Sequence, residues 1–310
     1  MSDWGSGSAP GKVILLGEHS VVFGEPAIAA AIERRLEVRT RCVPKATPHA
    51  DPKVEAAVGF AARDFEVDPS TLEIEIVSEI PPACGLGSSA ALSLALVRAL
   101  AALAGASLSD EEARRRASRV EDVFHGTASG VDVAASASAG MIWFERSTPP
   151  RIERLVVRRP VDLVVALSGE PRSTSGPVGR LRERHARRPE LYARLFGLAG
   201  EIVRAGRVAV EREDWPGLGE LMDVAQGLLN AFGVSTPTLE RMVGIARDAG
   251  ALGAKLSGAG GGGAIIALAP EHAQRVAERL RTAGFEAFST RVGSPDRSDR
   301  ENGKPKRASA

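Results

Sequence analysis

Four short stretches of this chain concentrate the residue types that handle phosphate and protons. The richest is Pro81-Pro82-Ala83-Cys84-Gly85-Leu86-Gly87-Ser88-Ser89-Ala90, a glycine-rich loop that runs straight into an Ala-rich helical stretch. Glycines without a Cβ let the backbone come close to a ligand, and the amides and dipole at a helix start attract phosphate. A polyphosphate suits that arrangement. Ser88 and Ser89 stand at the helix entrance, where one hydroxyl can cap the helix and the other can reach a divalent cation. A plain tight turn with an ordinary N-cap would use the same residues, so this segment alone leaves both readings open.

The stretch Glu121-Asp122-Val123-Phe124-His125-Gly126-Thr127-Ala128-Ser129-Gly130-Val131-Asp132 offers two acids. Helical spacing sets Glu121 and His125 on one face, and the glycine-flanked loop can carry Asp132 back toward the same place. One carboxylate would then hold a metal and the other take a proton. Read in isolation, Glu121 fits a surface charge and Asp132 an N-cap. A third stretch, Ala9-Pro10-Gly11-Lys12, opens a buried strand that ends at Gly17-Glu18-His19. With six Lys among 40 basic residues, a Lys at the mouth of a buried strand stands out. Its compact ammonium can stabilise charge building on an oxygen, although a lone Lys there also fits a solvated strand end. The fourth stretch, Lys255-Leu256-Ser257-Gly258-Ala259 followed by Gly260 to Gly263, sets five glycines in six positions before the apolar run Ala264 to Leu268. A flexible linker would not be followed at once by a strand, so these glycines are read as lining a closely approached site.

Two other nucleotide motifs fit less well. Gly85 to Ala90 satisfies the looser dinucleotide fingerprint, but Pro81-Pro82 separates it from the preceding strand, where that fingerprint should begin at the strand end. Ser6 to Val13 carries Gly11-Lys12 without the leading Gly or trailing Ser/Thr of a P-loop.

The elements that must position these residues follow from periodicity. Lys12–Leu16, Ala27–Val43 and Leu72–Ile80 read as strands, the last two with one wet face. Ser88–Leu103 and Ser109–Phe124 read as helices, the second opened by the capping spacing Ser109-Asp110-Glu111-Glu112. Strands return at Met141–Phe144, Ile152–Val157 and Val161–Leu167. Beyond Ser168, Arg-rich helical stretches (178–187, 189–205, 218–230, 238–248) lead to a strand at Ala264–Leu268 and a helix at Glu271–Thr282. The mixed order of strands and helices predicts α+β lobes over a doubly wound parallel sheet. A boundary near Pro160 divides the chain into lobes 8–160 and 161–293. Gly5-Ser6-Gly7-Ser8 is expected to be a flexible lead-in, Arg180 to Arg188 a solvated helix face, and 294–310 a disordered polar tail.

Composition narrows the function classes. The 310 residues, 44% apolar and 25% charged, describe a folded globular chain, and 40 basic against 39 acidic residues leave a net charge of +1. No bulk field gathers nucleic acid or an anionic membrane. Cys42 and Cys84 exclude a disulfide scaffold, the first residues lack the pattern of a secretory signal, and Ala90–Leu103 is too short for a membrane span, so a cytoplasmic location is expected.

Together, in this order and spacing, the four stretches resemble the GHMP family of small-molecule kinases from Ala9 to about Val292. The loop run His125 to Asp132 is similar to that of the branch acting on mevalonate, with Ala128 where that branch usually has Pro. The resemblance implies two lobes, an amino-terminal one like ribosomal protein S5 domain 2 and a ferredoxin-like carboxy-terminal one, with ATP and Mg²⁺ between them. It implies transfer of phosphate from ATP to the 5-hydroxyl of mevalonate. Asp132 would be the catalytic base and Lys12 its electrostatic partner. Ser89 and Glu121 would coordinate Mg²⁺, and Pro82, Gly85, Leu86, Gly87, Ser88, Ser89 and Ala90 would form the ATP phosphate loop. Lys12, Glu18, His19, Asp132, Thr174, Ser257 and Gly258 would contact the hydroxy acid. Phosphomevalonate, homoserine and the 3-hydroxyl of mevalonate are the alternative acceptors within the family. A silent metabolite sensor is the alternative outside enzymology, though a mere binder needs no proton acceptor. A homodimer is compatible with the resemblance.

Overall fold

The computed structural model describes residues 4–125, 129–138, 140–170 and 175–293. Its first sheet is organised on one long strand. In β2 (Ala27–Cys42), Leu36, Val38 and Thr40 are buried while Glu37 and Arg39 face water, and the Ala-rich start is covered on both sides. β1 (Gly5–Leu16) runs antiparallel along one edge of β2. The other edge is shared: β4 (Met141–Glu145) pairs with the start of β2, and β3 (Leu72–Ser78) with its end. β5 (Arg151–Leu155) completes the sheet against β4. Four helices serve this sheet: α1 (Pro52–Arg63), α2 (Ser88–Leu103), α3 (Asp110–His125) and the short α4 (Val131–Ala137).

The second sheet has the order β7 (Gly253–Ser257), β8 (Ala264–Leu268), β6 (Val161–Leu167) and β9 (Glu286–Val292), every pair antiparallel. It is accompanied by α5 (Ser175–Arg187), α6 (Pro189–Arg212), α7 (Trp215–Phe232), α8 (Pro237–Asp248) and α9 (Ala273–Thr282). One apolar core joins the two sheets: Leu16 and Ile28 of the first lie in the same cluster as Leu163 and Val165 of β6 and Met222 of α7. Polar links reinforce the seam. Glu33 N–H donates to Thr290 Oγ1 at 3.0 Å, and the Arg34 guanidinium lies 3.6 Å from the Phe288 ring centroid.

The expected α+β architecture holds, with three differences in detail. The first strand begins at Gly5, so Gly5 to Ser8 is ordered strand and not a flexible lead-in. The cause is α2, which packs directly on β1. A Cβ on Gly7 would lie 2.2 Å from Ala95 O and 2.5 Å from Ala99 N, so the glycine permits backbone-to-backbone contact with an Ala-rich helix. α1 was not anticipated, although Asp51-Pro52 is a helix start in sequence, with the Asp51 carboxylate accepting from Lys53 N–H at 2.8 Å. β9 and α4 were also missed, being short segments that form against tertiary partners, whereas β7 is the strand-like flank that precedes the glycine run. Arg180, Arg182, Arg187 and Arg188 are exposed as expected, but Arg184 is half-buried and donates to Phe232 O at 3.3 Å. No described helix is long and apolar enough to cross a membrane.

Gly7→Val should force β1 and α2 apart and destabilise the fold by about 1–3 kcal/mol. An unchanged urea midpoint would contradict the packing described.

Candidate active site

Lys12 and Asp132, 120 positions apart in the chain, meet in an ion pair. The pairing of β1 with β2 is irregular between Pro10 and Lys12, a feature that re-aims a side chain. Here the Lys12 N–H leaves the ladder and donates to Leu86 O at 2.8 Å. The side chain is 2% exposed, and its Nζ donates to Gly85 O at 3.0 Å while lying 3.0 Å from Asp132 Oδ1. Lys12 is therefore not the solvated strand-end residue it resembles in isolation. Gly87 makes room for it. Its φ is +74°, and a Cβ there would sit 2.7 Å from Lys12 Cγ. Asp132 stands in the first turn of α4, whose N-cap is Gly130.

Glu121 is buried at 2% exposure and is not a surface charge. It continues the apolar stripe Ala113–Ala117–Val120 of α3, the face that packs on α2. There Ser89 and Ser93, one helical turn apart, both reach it. Ser89 Oγ donates to Glu121 Oε1 at 2.7 Å and Ser93 Oγ to Oε2 at 3.1 Å. The α2 N-cap is Gly87, so no side chain caps this helix, and the dipole of its 16 residues points at the loop.

Two cavities open on these residues. One, of about 470 Å³, is lined by Gly85 to Ser89, Glu121, Asp51 and Val54, among others. The second, of about 170 Å³, is lined by Lys12, Glu18, His19, Gly258 and Arg182, with an apolar wall of Val21, Val22, Phe23, Val178 and Leu181. Ser129 and Asp132 line both. Phe23 is braced from behind by Phe196, stacked at 4.0 Å.

Glu18 forms a buried ion pair with Lys255, whose Nζ also donates to Leu256 O at 2.7 Å. Burial pushes the Glu18 carboxyl up and the Lys255 ammonium down, and the charge of each partner opposes both shifts. Ser257 is engaged elsewhere than in a cavity wall. Its Oγ accepts from Ile14 N–H at 3.0 Å and lies 3.4 Å from Ile14 O, which staples β7 to β1. Ala90 is fully buried within α2, and Pro82 lines another cavity, of about 410 Å³, beside Ser168 and Glu170. Thr174, residues 126–128 and the 294–310 tail lie outside the described residues, as does the His125 side chain. Sequence reading missed Asp51 and Val54, for which the Asp-Pro helix start was the available signal; it gave Lys255, the first residue of the fourth stretch, no role of its own and read Arg182 as part of a solvated face.

The family model for the GHMP kinase N-terminal domain matches residues 53–140, and that for the GHMP kinase C-terminal domain matches 207–286. The chain belongs to the GHMP kinase family. Curated relatives include the mevalonate kinase of Pyrococcus horikoshii, 37% identical across 92% of this chain and 94% of that one. The mevalonate kinase of Methanothermobacter thermautotrophicus is 39% identical across 86% and 90%. Among solved structures, that of the L. major mevalonate kinase in complex with R-mevalonate superposes with a TM-score of 0.85 and 31% identity, covering 94% of this chain and 96% of that one.

A GHMP kinase uses ATP, whose phosphates are commonly held together with a magnesium ion. Glu121 with Ser89 presents hard oxygen donors at the rim of the larger cavity, next to the loop where phosphate would lie. Among the described residues no three acidic, His or Cys side chains gather into a metal cage. Mg²⁺ takes one or two protein oxygens together with substrate phosphates and water. The residues fit the ion.

Gly87→Ala should leave the fold intact by circular dichroism and displace Lys12, lowering phosphotransfer by about 100-fold. A folded variant with full activity would show that Lys12 needs no such exact seat.

Proposed function

We propose that the chain transfers the γ-phosphoryl group of ATP to the 5-hydroxyl of mevalonate, with lobes 8–160 and 161–293 meeting at the cleft. The observation that carries the reading is Asp132: its carboxylate touches Lys12 and lines both cavities, the one at the phosphate loop and the one with the apolar wall. The names of relatives above 30% identity support the choice of acceptor.

The chemistry follows from those contacts. ATP lies in the larger cavity with its phosphates on the amides of Gly85 to Ser88 at the start of α2. Mevalonate lies in the smaller one, where the apolar wall takes its carbon skeleton and Arg182 offers a cation to its acid group. Phosphoryl transfer asks the protein mainly for positioning and charge stabilisation. Asp132 accepts the proton of the attacking hydroxyl as the new O–P bond forms and the bond from the γ-phosphorus to the bridging oxygen breaks, releasing ADP. Lys12, held by Gly85 O and Asp132, keeps a fixed positive charge beside the transferring group. Ser89 and Glu121 would hold Mg²⁺, which supplies charge neutralisation on the polyphosphate when bound.

Asp132→Ala should lower kcat by about 10²–10⁴-fold with KM for ATP little changed. Near-normal turnover of the folded variant would remove Asp132 from the role of base. An ATP-consumption assay with mevalonate, phosphomevalonate, homoserine and galactose side by side tests the acceptor, and preference for any but mevalonate overturns it. Ser89→Ala should raise the Mg²⁺ concentration needed for half-maximal rate several-fold, by the ligand-loss argument. An unchanged Mg²⁺ dependence would count against Ser89 as a ligand.

A further inference from the structure

Lys255 takes no part in the mechanism above, yet it is among the most completely buried charged residues described, at 0% exposure. It belongs to β7 of the second sheet, and its partner Glu18 follows β1 of the first, 237 residues away in sequence. Glu18 lines the acceptor cavity, as does His19 beside it. His19 holds φ at +64°, a left-handed backbone that a non-glycine residue keeps only when its surroundings over-determine it. Two positions along β7, on the same face, Ser257 holds the backbone of Ile14, another residue of that cavity. The second sheet thus grips the end of β1 at two points, both at the wall of the acceptor cavity.

We propose that Lys255 is a positioning residue of the acceptor site: from across the seam it holds the Glu18 carboxylate, and with it the turn at Gly17 to His19, in the geometry that receives the hydroxy acid. The second bond from Lys255 Nζ to Leu256 O fixes the ammonium so that the carboxylate has one place to go. A buried ion pair is poor value as a stabiliser, because apolar residues of similar volume commonly serve as well. What an apolar pair cannot supply is an oriented carboxylate on a cavity wall. This inference rests on the assignment of the smaller cavity to the acceptor.

The test compares wild type, Lys255→Met and the double variant Glu18→Gln with Lys255→Met in the full chain. Thermal midpoint, kcat, KM for mevalonate, KM for ATP and nucleotide affinity without acceptor are measured for each. Lys255→Met is expected to raise KM for mevalonate about tenfold or more, with kcat changed less and both nucleotide values within about twofold of wild type. The double variant, which leaves no uncompensated buried charge, should recover the thermal midpoint while keeping the high mevalonate KM. The proposal fails if Lys255→Met lowers the midpoint alone, or if the double variant restores midpoint and KM together. Should Lys255→Met not fold, Lys255→Arg, which keeps the charge beside an intact Glu18 but not its geometry, decides: a raised KM for mevalonate at a near-normal thermal midpoint supports the proposal, and an unchanged KM overturns it. If the wild-type enzyme turns over a different acceptor, the activity proposal falls and the same KM comparison on that acceptor decides this one.

Discussion

The Lys12 ammonium is shared between the Gly85 carbonyl and the Asp132 carboxylate, and three separate pieces of the chain are located by that one group. A cation at 2% exposure loses most of its hydration, and it is tolerable only where fixed oxygens replace the water. The requirement works in both directions. Lys12 needs the loop carbonyl and the carboxylate, and the loop and α4 are registered on β1 because Lys12 needs them. The Lys12 N–H bond to Leu86 O repeats the tie through the backbone, so the phosphate loop is attached to the first sheet at two points. Gly87, with no Cβ to collide with the Lys12 stem, is the condition under which the attachment closes.

Around this centre two cavities share a wall in which Ser129 and Asp132 stand. Ser129 and Asp132 face both sides, so a phosphate donor and an alcohol in the two cavities approach one another at a carboxylate. The larger cavity is framed by the start of helix α2 and the α3 carboxylate, with Val54, Leu92 and Phe124 among its lining. The acceptor side pairs charged ends with an apolar wall braced by the Phe23–Phe196 stack. In the proposed reading each side serves one half of a phosphoryl transfer. The second sheet contributes through contact with β1, where Lys255 and Ser257 reach across the seam.

Much of this was legible in the residues. The glycine-rich loop and its helix, the strand carrying Lys12, and the joint order of the four stretches pointed to a phosphate site with an acid and a metal-binding carboxylate. The helix expected at Ser88–Leu103 has those bounds in the structure, because a continuous apolar run entered from a glycine turn is a local property of the chain. Glu121 could have been recognised as buried by its place on the stripe of Ala113, Ala117 and Val120, had the stripe been followed past its apolar members.

Local sequence determined the elements, the phosphate loop and the types of residue available for chemistry, since periodicity, glycine and capping act over a few residues. Tertiary structure alone decided which charges meet. That Lys12 is buried against Asp132 and not solvated, that Ser257 is spent on Ile14 while Gly258 lines a cavity, and that Lys255 finds Glu18 all depend on how two sheets pack. So does the order of Gly5 to Ser8, whose glycines read as a linker until α2 lies on them. The physical reason is range: desolvation and ion pairing are set by neighbours in space, and those neighbours come from 73 to 243 positions away in sequence.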